Sequence, residues 1–258
     1  MNYIGIDIGS TCAKTVVLNK KKEIIQEFVQ PTGWSSVDTA EEIHQKLELA
    51  GINLSNDSSC CVATGYGRIS VPYADKTVTE ITCHALGAVH LFQQPDLTVI
   101  DIGGQDTKII QIEQGFVKDF IMNDKCAAGT GRFLEVMANT LSLRPNEMFD
   151  LARMGSDTTI SSMCTVFAES EVIGLIGKGE PKENIAYAVV NSTIRKVAAQ
   201  VSRMNGEMST FCLTGGLCEC EYIREALSKE LGKEMISCPN ARYAGAIGAA
   251  LSAMKIRK

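Results

Sequence analysis

Two cysteines in this chain stand where a thiol could bind a metal. Cys126 lies in the run MNDKCAAGTGRFLEVMA, where a strand-like pattern gives way to a helix-like one, and Cys164 in SSMCTVFAE stands directly before another helical pattern. A helix N-terminus favours negative charge, because its first N–H groups are unpaired and its dipole is positive there. Lys125, beside Cys126, adds a positive charge. We therefore expect both thiols to favour the thiolate form, which is the form that binds metals.

These two cysteines are half of the ligand set that a zinc or iron–sulfur site normally needs, since both usually take four protein ligands. A two-fold symmetric dimer could supply the other half, if each subunit carried its pair on the facing surface. The alternative is that both are ordinary buried cysteines. Their matched placement before helical patterns leaves both interpretations open at this point.

The composition excludes several classes of protein. A hydrophobic content of 45% and a charged content of 21% are ordinary for a globular protein, and the net charge of -5 gives no basic surface for nucleic acid or an anionic membrane. The apolar run from Tyr3 to Ile8 lacks the features of a signal peptide, and the stretch from Ala244 to Met254 is too short to span a bilayer. We expect a cytoplasmic protein whose ten cysteines are mostly reduced thiols.

A strand–turn–strand pattern occurs twice. Tyr3 to Leu18 predicts a hairpin, and Leu97 to Gln111 repeats its Asp-Ile-Gly and lysine at a constant offset of 94 positions. Glycine and hydroxyl residues in such a turn let backbone N–H groups approach phosphate oxygens closely, although a single turn of this kind is also consistent with a plain tight hairpin. The recurrence favours a duplicated α/β fold with a mixed sheet in each lobe.

A second repeat locates an insertion. The strand ending at Thr64-Gly65 is echoed 150 positions later at Thr214-Gly215, so the second half carries 56 additional residues after its third strand. Both Cys126 and Cys164 lie in that neighbourhood. Helical patterns predict helices over Val37–Ala50, Thr79–Phe92, Thr130–Leu141, Thr165–Gly177, Glu183–Asn205, Glu221–Leu231 and Tyr243–Met254.

Together, these runs are similar to those of a known family. GIDIGSTCAK, ATGYGR, DIGGQDTK, NDKCAAGTGRF, CTVFAESEV and TGG occur in this order. They resemble the ATP-dependent activators of 2-hydroxyacyl-CoA dehydratases, a group that also resembles the ATPase subunits of benzoyl-CoA reductase. All belong to the actin, sugar kinase and Hsp70 superfold. The resemblance extends from Tyr3 to about Ala253.

The resemblance implies a duplicated actin-like, ribonuclease H-like α/β fold. Its two lobes would each contain a mixed five-stranded sheet, with a nucleotide cleft between them. We expect an N-terminal lobe over residues 1–94 and a C-terminal lobe over 95–258 that carries the cluster-binding insertion. The C-terminal helix would pack back on the first lobe.

The activity implied by the resemblance is ATP hydrolysis coupled to low-potential, one-electron transfer in an anaerobic cytoplasm. A homodimer would hold one 4Fe-4S cluster, ligated by Cys126 and Cys164 of each subunit. Reduced ferredoxin or flavodoxin would donate the electron, and a partner iron–sulfur dehydratase or reductase would receive it. No nucleic acid or membrane would be involved.

The family motifs also indicate nucleotide-binding residues. Asp7 and Asp101 would hold Mg²⁺ through water at the phosphates of ATP or ADP, and Gln105 would orient the attacking water. The phosphate turns would consist of Gly9, Ser10, Thr11, Cys12 and Lys14 in the first repeat and of Gly103, Gly104, Gln105 and Asp106 in the second. Gly215 and Gly216 match the adenosine-side loop. Lys14 could instead be a solvated turn lysine.

Other conspicuous residues have simpler interpretations. We expect the remaining cysteines that attract attention to be structural thiols: Cys60, Cys61, Cys83, Cys212, Cys218 and Cys220. The single tryptophan, Trp34, is predicted to be a packing residue in a loop. Arg68, flanked by glycine, could reach a phosphate or the other lobe.

Two alternative functions remain on the same superfold. A small-molecule kinase would need an acceptor pocket and a general base, for which only Asp101 is available, and it would leave Cys126 and Cys164 without a role. A filament-forming or scaffold ATPase would have no redox centre. Colour and visible absorbance of anaerobically purified protein would distinguish both from the activator.

Overall fold

The computed structural model describes residues 1–54, 58–161, 164–204 and 210–256. Contacts divide the chain into two units, which are described separately. The first comprises Met1–Leu97, Ile112–Lys118 and Cys238–Lys258, and the second comprises Thr98–Gln111 and Asp119–Ser237. The lobe boundary after residue 94 stays a prediction.

The first unit is built on a mixed five-stranded sheet. Its strands are β1 (Asn2–Ile8), β2 (Cys12–Leu18), β3 (Ile24–Pro31), β4 (Ser59–Thr64) and β5 (Lys76–Thr77), in the order β3-β2-β1-β4-β5. Strand β1 is antiparallel to β2 and parallel to β4. Helices cover both faces of the sheet, so β1 and β4 are buried almost throughout, whereas the edge strand β3 alternates between partly buried and exposed residues.

Three helices provide this cover: α1 (Ser36–Leu49), α2 (Glu80–Phe92) and the C-terminal helix, α8 (Ala244–Ile256). Ile43 and Leu47 of α1 pack with Ile4 and Ile6 on one face, and α8 packs with β1 and α2 on the other. The approach of α8 requires glycine. A Cβ on Gly248 would lie 1.7 Å from the carbonyl oxygen of Cys83 in α2.

The second sheet, most of which lies in the second unit, repeats this topology. Its strands are β6 (Leu97–Ile102), β7 (Thr107–Glu113), β8 (Phe116–Asn123), β9 (Thr210–Gly215) and β10 (Met235–Ile236), in the order β10-β9-β6-β7-β8. Read from β8, this is the strand order of the first unit. The predicted duplicated α/β fold with mixed five-stranded sheets is thus confirmed. The two-residue strands β5 and β10 are too short to give a sequence pattern.

The additional residues of the second half form helices. The helices of this unit are α3 (Gly131–Thr140), α4 (Pro145–Ala152), α5 (Thr165–Gly177), α6 (Lys182–Val201) and α7 (Glu221–Leu231). Helix α4 was not predicted; its signals are Pro145 in the first turn and Glu147, whose carboxylate accepts hydrogen bonds from the backbone N–H and the guanidinium of Arg144. Helix α6 ends at Val201, short of the predicted end, and Asn205 lies outside the described residues.

The packing role predicted for Trp34 is wrong. Its side chain is fully exposed. The loop is fixed by Thr32, whose hydroxyl donates to the carbonyl of Gly9 over 2.7 Å and whose N–H donates to the carbonyl of Thr11 over 2.9 Å. Because these polar contacts hold the loop, the indole is not needed to anchor it.

Within the described ranges, no helix has the length and apolarity to cross a membrane.

Candidate functional site

The second repeat places a buried ionic cluster at the end of β6. Asp101, 4% exposed, accepts a hydrogen bond from the hydroxyl of Thr214 over 3.1 Å, and its Oδ2 lies 3.3 Å from Nζ of Lys108. Lys108 is 2% exposed and also lies 2.8 Å from Oδ1 of Asp106. A buried ammonium group is tolerated only with such partners. The lysine thus connects the buried carboxylate to the turn.

The predicted second phosphate turn connects the two strands that carry this buried ionic group. Residues 103–106 join β6 to β7, and the N–H of Gly103 donates to the carbonyl of Asp106 over 2.9 Å. Gln105 is exposed on the turn, and Gly103, Gly104 and Asp106 are half-buried. The turn therefore presents one amide side chain to solvent, with a carboxylate and an ammonium group behind it.

Two neighbouring glycines at the end of β9 have different roles. Gly215 has a φ of +82°, and a Cβ there would lie 2.6 Å from Oδ1 of Asp101. Only glycine fits this close approach to the carboxylate. Nothing lies within 4 Å of the equivalent position on Gly216. Gly215 therefore leaves the space that the carboxylate of Asp101 occupies, whereas Gly216 is open for contact with a ligand.

The first repeat places a buried carboxylate, Asp7, at the equivalent position of its sheet. This carboxylate is 5% exposed and pairs in register with Lys14 across β1 and β2. A Cβ on Gly65, whose φ is +84°, would lie 2.4 Å from its Oδ1, and one on Gly245 would lie 2.5 Å from its Oδ2. The turn itself closes through the N–H of Gly9, which donates to the carbonyl of Cys12 over 3.1 Å.

The two carboxylates differ in how they are satisfied. In the part of the chain that the structure describes, Oδ1 of Asp7 is buried without a hydrogen-bond partner. Buried polar atoms nearly always have partners, so an orphaned carboxylate oxygen indicates a missing ion, water or ligand. Ser10 and Thr11 are exposed in the turn that follows β1, and Cys12 and Lys14 are half-buried. These residues fit the water-mediated Mg²⁺ site expected from the sequence.

The second turn is hydrogen-bonded to the start of α3. The N–H groups of Gly131 and Arg132 donate to the carbonyls of Gly103 and Gly104 over 2.9 and 2.8 Å. The hydroxyl of Thr107 donates to the carbonyl of Gly129 over 2.6 Å. The turn thus satisfies N–H groups that a helix N-terminus would otherwise leave unpaired. It also fixes the start of the helix that follows the Cys126 segment.

Cys126 does not lie at the helix N-terminus that its sequence pattern indicates. It lies between the end of β8 at Asn123 and the N-cap of α3 at Thr130. The side chain of Asn123 donates to the carbonyl of Cys126 over 2.8 Å and shapes this turn. The thiol is half-buried, and Nζ of Lys196 in α6 lies 3.4 Å from its Sγ. The positive charge found beside the sulfur therefore belongs to Lys196.

Cys164 is the N-cap of α5 and is exposed, in agreement with its predicted place before a helix. Helix α5 packs against α3, and the hydroxyl of Thr140 and Oε1 of Glu169 are 3.1 Å apart. The buried residues of α5 are Ala168 and Val172. Its large apolar side chains in solvent are Val166, Phe167, Ile173 and Ile176. The cysteine thus begins a helix with an uncovered apolar surface.

The other cysteines lie mainly in structural positions. Cys60, Cys61, Cys83, Cys212 and Cys218 are buried. Burial raises the pKa of Cys61, with the Asp75 carboxylate adding to the effect, and burial raises the pKa of Cys83 to about 11. Burial likewise raises the pKa of Cys220 and Cys238. These environments favour the neutral thiol.

Lys108 and Thr214 are the site residues that sequence reasoning did not select. The repeat pairs Lys108 with Lys14 and Thr214 with Thr64, so the signal was present. What was missing was the buried contact with Asp101, which depends on tertiary structure. The junction between the second turn and α3 also left no recognisable pattern in the sequence.

A duplicated fold with a carboxylate behind a glycine turn in each half is typical of actin-like ATPases. Residues 4–253 match the BadF/BadG/BcrA/BcrD ATPase family, and the chain belongs to that family. It is 44% identical to the (R)-2-hydroxyglutaryl-CoA dehydratase activating ATPase of Acidaminococcus fermentans, over 98% of this chain and 96% of that protein. The family predicted from the motifs is thus confirmed.

Solved structures agree with this assignment. The activator of the 2-hydroxyisocaproyl-CoA dehydratase from Clostridium difficile with bound ADPNP superposes with a TM-score of 0.90 at 34% identity, covering 99% of this chain and 95% of that one. A ROK family glucokinase from Streptomyces griseus covers 99% of this chain and is itself fully covered, at a TM-score of 0.59 and 16% identity. The second likeness shows the fold alone, so the kinase alternative is not favoured.

Proposed function

We propose that this ATPase is a reductive activator that couples ATP hydrolysis to low-potential, one-electron transfer from a 4Fe-4S cluster to a partner iron–sulfur enzyme. The observation that carries the proposal is the pair of hydrogen bonds from Gly131 and Arg132 to the turn at 103–104. They link the turn to the start of α3, the helix that follows the segment bearing Cys126. In a kinase or a scaffold ATPase, Cys126 and Cys164 would have no role.

The nucleotide part of the proposal assigns a task to each turn. N–H groups of the turns at 10–12 and 104–106 contact phosphate oxygens, and Asp7 and Asp101 hold Mg²⁺ through its water ligands. Gln105, exposed on its turn, orients the attacking water through its amide. Gly216 contacts the adenosine. The family and the ADPNP-bound relative support ATP and ADP as ligands.

The cluster part rests on Cys126 and Cys164. Both thiols are at least partly accessible, and each precedes one of two packed helices. Among the described residues, no three His, Cys, Asp or Glu side chains form a metal-binding group. A four-thiolate site therefore requires a second copy of the chain, and a homodimer supplies it. When bound, the cluster supplies a one-electron centre whose potential depends on local charge and exposure.

The apolar side of α5 is where the second copy would contact this one. Large exposed apolar patches on soluble proteins commonly mark interaction sites. Val166 and Phe167 flank the proposed ligand Cys164, so contact between two copies would bury them and bring the cysteines together.

The proposed partners are a reduced ferredoxin or flavodoxin as donor and a 2-hydroxyacyl-CoA dehydratase or related reductase as acceptor, in the cytoplasm. The names of the relatives from Acidaminococcus fermentans and Clostridium difficile support this class of acceptor. They differ in the acyl-CoA that they name, so the substrate of the acceptor stays unassigned.

Anaerobic purification tests the function directly. We expect a brown homodimer with broad absorbance near 400 nm, about four irons and four sulfides per dimer, and release of phosphate from ATP. Colourless protein that transfers phosphate to a small molecule would instead support the kinase. A colourless ATPase that assembles into filaments would support the scaffold alternative.

A further inference from the structure

Lys196, which belongs neither to the nucleotide site nor to the proposed ligand pair, contacts one of the two proposed ligands. Its Nζ lies 3.4 Å from Sγ of Cys126, although the two residues are seventy positions apart and belong to different elements. The lysine projects from α6, whereas the cysteine lies in the turn before α3. A charged amine this close to a sulfur forms a charge-assisted hydrogen bond when the sulfur is a thiolate.

The aliphatic part of the same side chain lies against the cysteine turn. A Cβ on Gly129 would lie 3.2 to 3.5 Å from Cγ, Cδ and Cβ of Lys196. Gly129 has a φ of +88°, a conformation that favours glycine, and its carbonyl accepts the hydroxyl of Thr107. The turn is thereby held between the stem of Lys196 on one side and β7 on the other. The length of the stem determines where the ammonium group meets the sulfur.

We propose that Lys196 is a positioning residue for the cluster. Its stem holds the turn that carries Cys126, and its ammonium group places a positive charge beside this ligand sulfur, which makes the cluster easier to reduce. In the homodimer each subunit contributes one such charge. This inference rests on the proposed function, because it concerns the ligand role of Cys126.

The electrostatic reason for the effect is simple. Reduction adds negative charge to a cluster, and a nearby cation stabilises the reduced form more than the oxidised form. Hydrogen bonds to the sulfur act in the same direction. Replacing the lysine by an uncharged residue should therefore lower the reduction potential.

The variants can separate charge from packing. Lys196→Met keeps most of the stem over Gly129 and removes the charge, and Lys196→Arg keeps the charge. Arg195→Met is the matched control, because it removes one positive charge from the adjacent, exposed position of the same helix.

The first measurement uses cluster-free, full-length protein. The rates at which iodoacetate and iodoacetamide alkylate Cys126 are compared by mass spectrometry of the tryptic peptide 126–132, which contains no other cysteine. Both rates are proportional to the ionised fraction of the thiol, so this fraction cancels in their ratio. The ratio therefore reports the local charge. We expect Lys196→Met to lower the ratio about fivefold, the effect of one unit charge about 4 Å away in water. Lys196→Arg and Arg195→Met should keep it, and the ratio at Cys164 should be unchanged in all three.

The second measurement is the reduction potential of the reconstituted protein. We expect a more negative potential in Lys196→Met and the parent potential in Lys196→Arg and Arg195→Met. An unchanged alkylation ratio in Lys196→Met, or an equal fall in Arg195→Met, would overturn the contact. If the alkylation ratio in Lys196→Met falls as expected but the reduction potential of the cluster is unchanged, Lys196 does not influence that potential. If the parent protein takes up no cluster on reconstitution, the proposed function is rejected. The alkylation ratio would still show whether Lys196 contacts Cys126.

Discussion

The backbone N–H of Gly131 donates to the carbonyl of Gly103 over 2.9 Å. This bond joins the first residue of α3 to the second phosphate turn, and Arg132 repeats the contact at Gly104. A movement of the turn by about 1 Å would stretch these bonds beyond hydrogen-bond length unless the start of the helix moved with it. Communication between nucleotide and cluster requires that the helix moves.

The carboxylates behind the two turns should be needed for ATP hydrolysis and not for the cluster. Asp7→Asn and Asp101→Asn remove charge that orients the metal and water, and we expect each to lower the hydrolysis rate by about 100-fold or more. Phosphate release and iron content are measured on the same preparations. Asp119→Asn, exposed on β8, is the control and should retain the parent rate. Parent-rate hydrolysis in Asp101→Asn would show that the assignment is wrong.

Lys108 should be a major contributor to stability. Lys108→Met leaves the carboxylates of Asp101 and Asp106 without their buried cation, so we expect a loss of about 3 kcal/mol or more in the free energy of unfolding. Urea denaturation near pH 7 measures it. Lys14→Met, at the equivalent position of the first repeat but half-buried, should cost less than about 1 kcal/mol. Equal losses in both variants would contradict the buried triad.

The contrast between the two lysines shows how far the sequence could lead. In the two repeats, Lys14 is at the position equivalent to Lys108, and Cys12 is at the position equivalent to Asp106. The second turn therefore has an additional carboxylate, which holds Lys108 next to Asp101, and the first turn has none at that position. The strand–turn–strand segments of the two repeats have the same residue pattern, so the duplicated fold was predictable. The burial of Lys108 was not, because it depends on tertiary contacts with the carboxylates of Asp101 and Asp106.

The cysteine segments give a similar lesson. Cys164 precedes α5 as its pattern predicts, because the apolar spacing begins at once. Cys126 is separated from α3 by a turn that Asn123, Gly129 and Thr130 shape through their own contacts. Glycine and threonine are compatible with either a helix start or a loop. The contact of Lys196 with the sulfur comes from a distant helix and could not be predicted from local sequence.

Iron binding should depend on two cysteines only. We expect Cys126→Ser and Cys164→Ser to lose iron and colour, because each removes two of the four thiolates of a shared cluster. Cys60→Ser and Cys218→Ser are the controls, since both residues are buried, and should retain the cluster. Full activity with two irons or fewer per dimer, after careful reconstitution, would contradict the shared site.

Thiol reactivity should separate accessible from buried cysteines. Burial raises the pKa of Cys83 from 9.0 to about 11, so at pH 8 only about one thiol in a thousand is ionised there. In cluster-free protein, we expect a disulfide reagent at pH 8 to label the exposed Cys164 rapidly and Cys83 only on unfolding. Peptide mapping measures both rates, and rapid labelling of Cys83 in the folded protein would contradict its environment.

The same shift predicts a loss of stability in alkali. Because the pKa of Cys83 is higher in the folded protein, its contribution is intact below about pH 9 and is lost as the pH rises towards 11. The free energy of unfolding should fall across this window. Cys83→Ala should make the fall shallower, and an identical pH profile in this variant would count against the assignment.

Nucleotide bound at the turn of residues 103–106 should alter the environment of Cys126 through α3, and this coupling is the central claim. The most direct test is the reduction potential of the cluster in the homodimer without nucleotide, with ADP and with a non-hydrolysable ATP analogue, together with the rate at which an iron chelator removes the metal. We predict that the ATP-like state differs from the other two in both quantities, with a more accessible cluster. Identical potentials and identical chelation rates in all three states would contradict the coupling.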